Sequence, residues 1–174
     1  MGTTQHLFRR AAFISDIHFG EGSDDKEHNE MCVEFLEWMI TTAKLKCCDR
    51  IIFGGDWHHH RNKVGAETLN YSFIGASLLN ECGIPVDFII GNHDLFLKDS
   101  RLIHPLPFLE GMKNIRIINE PTQDGDVLLV PWLVSTDDLK DVASRNVRYM
   151  FSHSELAGAR MNEHYVMPET DHTL

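Results

Sequence analysis

The chain lacks a membrane-length apolar run, a paired-cysteine motif and an excess of basic charge. No apolar segment approaches the roughly 18 residues needed to cross a bilayer. After Arg9 and Arg10 the apolar stretch is only Ala11 to Ile14, too short for a secretory leader. The 4 cysteines, Cys32, Cys47, Cys48 and Cys82, form no Cys-x-x-Cys pair, which argues against a zinc knuckle. They read as reduced, mostly buried thiols of a cytosolic protein. Lys and Arg number 16 against 26 Asp and Glu, a net charge of −10. A surface of that sign does not attract nucleic acid by itself. Any DNA binding has to come from bound cations, a local basic patch or a partner subunit. Repeats, linkers and low-complexity tracts are also missing, so a single domain over residues 1–174 is the simplest organisation.

What is present suits a folded α/β domain. At 174 residues and 43% hydrophobic content, the chain can bury roughly 70% of its unfolded surface. Strand and helix signals alternate. Arg10–Ser15, Arg50–Phe53 and Pro85–Ile90 read as strands, and Lys26–Lys46 and Gly65–Asn80 as helices. The first helix shows an apolar face of Cys32, Leu36, Met39, Ile40 and Ala43, and the second one of Leu69, Phe73, Ala76 and Leu79. Ser23, Asp24 and Asp25 supply a helix start. Strands with continuous apolar runs, linked by helices, predict a sheet covered on both faces. Further on, Ser100–Glu110 reads as a loop entering a short helical turn. Ile115–Ile118, Asp126–Val130 and Val147–Phe151 read as strands, and Asp137–Ser144 as a short helix. From Asn162 to Leu174 no period is visible.

Behind these strands stands an ordered ladder of polar motifs: Asp16-Ile17-His18, Gly55-Asp56-Trp57-His58-His59, Gly91-Asn92-His93-Asp94, and His153. Ligands of open α/β sheets bind beyond the carboxyl ends of the strands, so each motif sits where side chains can converge. Side chains two apart in an extended segment point the same way, so Asp16 and His18 can share one ion. Gly54, Gly55 and Gly91 permit tight turns and close backbone approach to a phosphate. Asp-x-His alone is a weak signal, whereas Gly-Asn-His-Asp arises by chance on the order of once in 10⁵ to 10⁶ positions. Carboxylate, amide and imidazole donors together suit Mn²⁺, Fe²⁺ or Zn²⁺. Two such cations about 3.5–4 Å apart activate water and neutralise phosphate oxygens.

The ladder resembles the calcineurin-like metallophosphoesterase superfamily over about residues 11 to 160. Within it, the chain is most similar to the nuclease branch of SbcD-type subunits and phage recombination endonuclease subunits. The features carrying that likeness are Gly91-Asn92-His93-Asp94, His104-Pro105, Val130-Pro131-Trp132 and His153-Ser154-Glu155-Leu156 with Gly158. The resemblance implies an α/β/β/α sandwich. It implies a first metal on Asp16 and His18, Asp56 bridging both metals, and a second metal on Asn92 and His153. It implies His93 as the general acid or transition-state stabiliser, with Asp94 orienting it. His59 is expected beside the ligands or at the substrate, and His104 either near substrate or as a loop cap next to Pro105. His58 and His60 are expected in a solvated loop, and His6, His28 and His164 on the surface. The branch further implies Mn²⁺ as cofactor, DNA as substrate, an SbcC-type ATPase as partner, a possible homodimer, and a cytoplasmic location (that of the host, if phage-encoded).

Two departures stand out. Ser152 replaces the Gly usual before His153, and no Gly-His-x-His follows, since Asp171-His172-Thr173 lacks its Gly and second His. Each metal then lacks one ligand, and the expectation is a fragment without the last strands of the sandwich, or else a degenerate family member, with weak or single-site metal binding and little activity. Three functions stay open: a metal-dependent DNA nuclease subunit, a phosphatase or phosphodiesterase on a nucleotide or phosphoprotein, and an inactive scaffold.

Overall fold

A computed structural model describes residues 6–104, 106–155, 157–160 and 164–168. Pro105, Leu156 and the segment Asp171-His172-Thr173 lie outside the described residues. Four strands, β1 (Ala11–Ile14), β2 (Arg50–Phe53), β3 (Val86–Ile89) and β4 (Ile115–Ile118), form a parallel sheet in that order. Successive strand side chains alternate between faces. Ile51, Phe53, Val86 and Phe88 thus face one layer, and Ile52, Ile89 and Ile118 the other.

The first layer is helical. A short segment α1 (Glu21–Asp24), kinked by left-handed Gly22 and Ser23, leads into α2 (Lys26–Leu45). Asp25 is the N-cap of α2 and accepts from the Glu27 N–H at 3.0 Å. Cys32, Leu36, Met39, Ile40 and Ala43 are all buried, as their spacing predicts. Helix α3 (Ala66–Glu81) departs from expectation. Its buried side is Thr68, Ser72, Gly75, Ala76 and Leu79, while Leu69 and Phe73 are about half exposed, at 45% and 51%. The cause is close packing: a Cβ on Gly75 would lie 2.8 Å from Leu36 Cδ1 and 3.0 Å from Phe19 Cζ. Small side chains on this face let Phe19, Leu36 and the buried Trp57 fill the space between helix and sheet.

The second layer is another sheet, β5 (Thr122–Asp124), β6 (Val127–Val130) and β7 (Tyr149–Ser152), with β5–β6 antiparallel and β6–β7 parallel. β5 falls where the sequence suggests only a turn; three polar residues carry no apolar pattern. Val127 and Leu129 pack on Ile52, Ile89 and Ile118, forming the core between the sheets. Leu128 and Val130 point outward, onto Val142 and Leu139 of α4 (Thr136–Ser144), whose N-cap is Ser135. The layers therefore run α/β/β/α, the arrangement the resemblance implies. At the amino ends of the strands the buried Asp87 on β3 sits between Arg50 (3.6 Å) and Arg116 (2.7 Å). Arg116 also reaches Asp124 of the second sheet at 2.5 Å.

Candidate metal centre

All the ladder motifs sit at the carboxyl ends of the strands. The β1 and β2 extensions zip together there: Asp16 N–H donates to Gly55 O (2.9 Å), His18 N–H to Asp56 O (3.1 Å) and Phe19 N–H to Trp57 O (2.8 Å). His28, Asn29 and Cys32 at the start of α2 brace the first loop. Asn29 Oδ1 accepts from Gly20 N–H at 2.8 Å, the Cys32 thiol donates to Ile17 O at 3.3 Å, and His28 Nε2 bonds His18 O at 3.0 Å. This bracing lets Asp16, His18 and Asp56 hold left-handed backbone angles, with φ of 58°, 52° and 61°. Asp and His tolerate that region better than most residues. Gly91 is confined by the same cluster, since a Cβ there would lie 2.3 Å from Asp56 Oδ1.

The side chains converge on Asp56, which is 4% exposed. Its Oδ1 lies 3.4 Å from His153 Nε2, and its Oδ2 lies 3.8 Å from His18 Nε2. Asp16 Oδ1 is 3.9 Å from His18 Nε2, and His153 Nε2 is 2.8 Å from Asn92 Oδ1. Two groups result, His18–Asp56–His93 and Asp16–Asp56–His153, each with ligand atoms within 4.8 Å of one another and sharing Asp56. His153 Nδ1 donates to Gly54 O at 2.7 Å. Because a carbonyl only accepts, the neutral ring presents its Nε2 lone pair to the cluster, as a ligating histidine must.

The Asn92 amide tests whether cations fit. With its oxygen toward His153, that oxygen meets only acceptors; a cation at this point resolves the conflict. Turned over, the amide nitrogen donates to His153 Nε2 at 2.8 Å and Asp56 Oδ2 at 3.3 Å, and the oxygen accepts from Arg61 Nη2 at 2.9 Å. Convergent lone pairs around a nearly buried carboxylate match a divalent cation and leave apolar ligands no role.

His93 belongs to the first of the two groups, although the resemblance gives it no metal. Its ring centroid is 5.0 Å from that of His18, and its Nδ1 donates to His59 O at 2.5 Å. Asp94 was expected to orient His93, but its contacts are elsewhere. Fully buried, it accepts from the N–H groups of Asp56 (2.8 Å), Trp57 (2.8 Å) and Gly91 (2.9 Å). Asp94 thus ties the Asp56 loop to the Gly91 loop, and the His59 carbonyl holds the His93 ring. Burial, and then the charge of Asp56, push the Asp94 carboxyl up to about 6. Burial and the neighbouring His60 and His18 lower His59.

Other histidines depart from expectation. His58 is not solvated: it is fully buried, and its Nε2 accepts from the Ser72 hydroxyl at 2.7 Å, which itself accepts from Trp57 Nε1. His60 is exposed, as expected. His28 is half-buried against the His18 loop rather than free on the surface. His104 pairs with Glu110 at 3.6 Å and belongs to neither candidate ligand group. Arg61 is the contact that sequence reasoning missed. Its one signal is position, since it follows the histidine run on the Asp56 loop.

Comparison with known proteins bears on this centre. Residues 9–170 match the family model for calcineurin-like phosphoesterase. Exonuclease subunit 1 of Enterobacteria phage T4 is 24% identical over 155 residues, covering 83% of this chain and 45% of its own length. The chain thus spans about half the length of that relative. A solved nuclease of Pseudomonas putida, MPE, aligns with a TM-score of 0.48 at 22% identity, over 70% of this chain and 53% of its own. Among the described residues no helix is long and apolar enough to cross a membrane. From the family match across most of its length, the chain belongs to the calcineurin-like phosphoesterases.

Proposed function

We propose that this chain hydrolyses phosphodiester bonds of DNA, as the nuclease subunit of an assembly with an ATPase partner of SbcC type. The observation that carries the reading is Asp56, whose two oxygens face His153 on one side and His18 on the other. We assign Asp16, His18, Asp56, Asn92 and His153 to two divalent cations, Mn²⁺ first. Bound there, the cations supply Lewis acidity to the phosphate and a more acidic water. The chain does the rest. Asp56 fixes the spacing of the ligands. The Gly54 carbonyl keeps His153 Nε2 free for coordination. The His59 carbonyl steadies His93 by accepting from its Nδ1–H, which leaves Nε2 as the atom to pass a proton to the leaving oxygen. Asp94 works indirectly by holding the Asp56 and Gly91 loops together. Nuclease activity draws support from the name of the exonuclease subunit among the relatives, and an assembly from the word subunit in it.

Calorimetric titration with Mn²⁺, beside hydrolysis of linear duplex DNA and a chromogenic phosphate ester, tests the reading. Asp56→Asn should abolish Mn²⁺ uptake. His93→Ala should keep uptake and slow hydrolysis about 10²- to 10⁴-fold. Mn²⁺ uptake by Asp56→Asn equal to that of the parent chain would sink the dinuclear centre. Preference for the small ester would sink the DNA substrate.

A further inference from the structure

Arg61 connects the metal centre to a cleft that no part of the centre uses. Its Nη2 lies 2.9 Å from the Asn92 amide, and it also lines a cleft with Asn62, Val64, Leu69, Phe96 and Ile103. Arg9, Arg50, Arg101, Arg116 and Arg145 each pair with an aspartate. Among the described residues Arg61 has no carboxylate partner; its neighbour is the amide that must serve a cation. The consequence follows from the amide's two ends. When Asn92 turns its oxygen to a cation, its nitrogen faces Arg61. Two donors then point at one place with no acceptor between them. A phosphate oxygen is the group that satisfies both, and a guanidinium is suited to bind it bidentately. On a chain of net charge −10, such a local cation is what an anionic substrate needs.

The cleft beyond Arg61 is apolar and open. Phe96 is 46% exposed, Leu69 45% and Ile103 61%. An accessible aromatic ring beside a phosphate-binding arginine matches an unstacked base attached to that phosphate. We infer that Arg61 and this cleft form a nucleotide subsite, Arg61 holding a phosphate oxygen beside the metal centre and Phe96 stacking on the attached base. The assignment rests on the dinuclear reading of the same centre and adds residues that reading leaves idle. It also makes Asn92 a coupling element, because cation binding withdraws the amide oxygen from Arg61 and frees the guanidinium for substrate.

Binding of inorganic phosphate and of thymidine 5′-monophosphate, measured by calorimetry on the whole chain in Mn²⁺, tests this without any turnover. Arg61→Gln should weaken both ligands about tenfold or more while Mn²⁺ affinity stays within about threefold. Arg61→Lys, which keeps the charge and loses the fork, should recover part of that loss. Phe96→Ala should leave inorganic phosphate unchanged and remove the advantage, about tenfold, of the nucleotide over it. Unchanged phosphate affinity in Arg61→Gln, or an equal loss of Mn²⁺ affinity, overturns the Arg61 assignment. A nucleotide advantage that survives Phe96→Ala overturns the base site. Absence of Mn²⁺ uptake by the parent chain overturns the dinuclear reading itself, and the subsite with it.

Discussion

Asp16, His18 and Asp56 combine two properties that rarely coincide in a solvated loop: left-handed backbone and a converging polar side chain. Such conformations cost on the order of 1 kcal/mol each and persist only where the surroundings fix them. Here the fixing comes from the zipped β1 and β2 extensions, from Asp94 and from the α2 brace. His58 belongs to the same frame, and it sets a pH response. Burial lowers its pKa from 6.5 to about 4, so the fold holds the ring neutral while the unfolded chain takes up a proton below 6.5. The stability that follows is complete above pH 6.5 and drains away as pH falls toward 4, by about 3 kcal/mol across the window. Urea unfolding at pH 7.5 and pH 5.0 measures it. His58→Gln keeps an acceptor for Ser72 but cannot titrate, and should remove about 2 kcal/mol of the difference between the two pH values. An identical difference in both proteins refutes a buried neutral His58. The sequence could not announce this, because His58-His59-His60 reads as one polar run. Burial of the first ring, exposure of the third and the reach of Arg61 to Asn92 are set by the path of the loop over Ser72 and Trp57. The proposed ligand residues stand out in the sequence for the opposite reason: their types and order carry the chemistry whatever the loop does.

Among the elements, the strands other than β5 and helix α2 follow their hydrophobic patterns to within a residue or two, as β2 and the buried face of α2 show. α3 does so only in part, because Ala76 and Leu79 of its expected apolar face are buried but the other two residues are not. Leu69 and Phe73 turn outward, and Gly75 turns in, since only a side chain without bulk fits against Leu36, Phe19 and Trp57. Helix propensity alone says Gly75→Ala should stabilise by about 0.5–1 kcal/mol. Packing says the reverse: the new methyl falls 2.8 Å from Leu36, itself wholly buried. We expect packing to win and Gly75→Ala to destabilise by about 1–3 kcal/mol. Gly111, where an added Cβ meets nothing within 4 Å, serves as the control and should tolerate alanine within about 0.5 kcal/mol. Thermal unfolding of both variants decides it. A rise in the melting temperature of Gly75→Ala would mean that α3 slides away from α2 to make room.

At the scale of the molecule, the candidate metal centre and the ion-pair clasp lie at opposite ends of the same sandwich. The loops after β1, β2, β3 and β7 build the centre at the carboxyl ends, whereas Arg50, Asp87, Arg116 and Asp124 join the two sheets at the amino ends. The clasp was not legible in the sequence, because nothing local pairs a charge on β3 with one on β4 and another on β5. The parallel register does, setting Asp87 beside Arg116. A buried ion pair contributes little compared with an apolar replacement, but removing one partner strands the other charge. Asp87→Ala should therefore cost about 1–3 kcal/mol, since Arg116 is half exposed and keeps Asp124, a fall in melting temperature of about 5 °C for a chain of this size. The exposed pair Lys140–Asp137 at 2.9 Å gives the contrast, since Lys140→Ala should change stability by less than about 0.5 kcal/mol. Mn²⁺ affinity, measured well below the transition, should be the same for Asp87→Ala and the parent chain to within about threefold, because the loss falls on the joining of the sheets and spares the ligand loops. Equal melting temperatures for Asp87→Ala and Lys140→Ala would deny the clasp any part in holding the layers together. A large loss of Mn²⁺ affinity in Asp87→Ala would show that the two ends of the sandwich are coupled through the sheet.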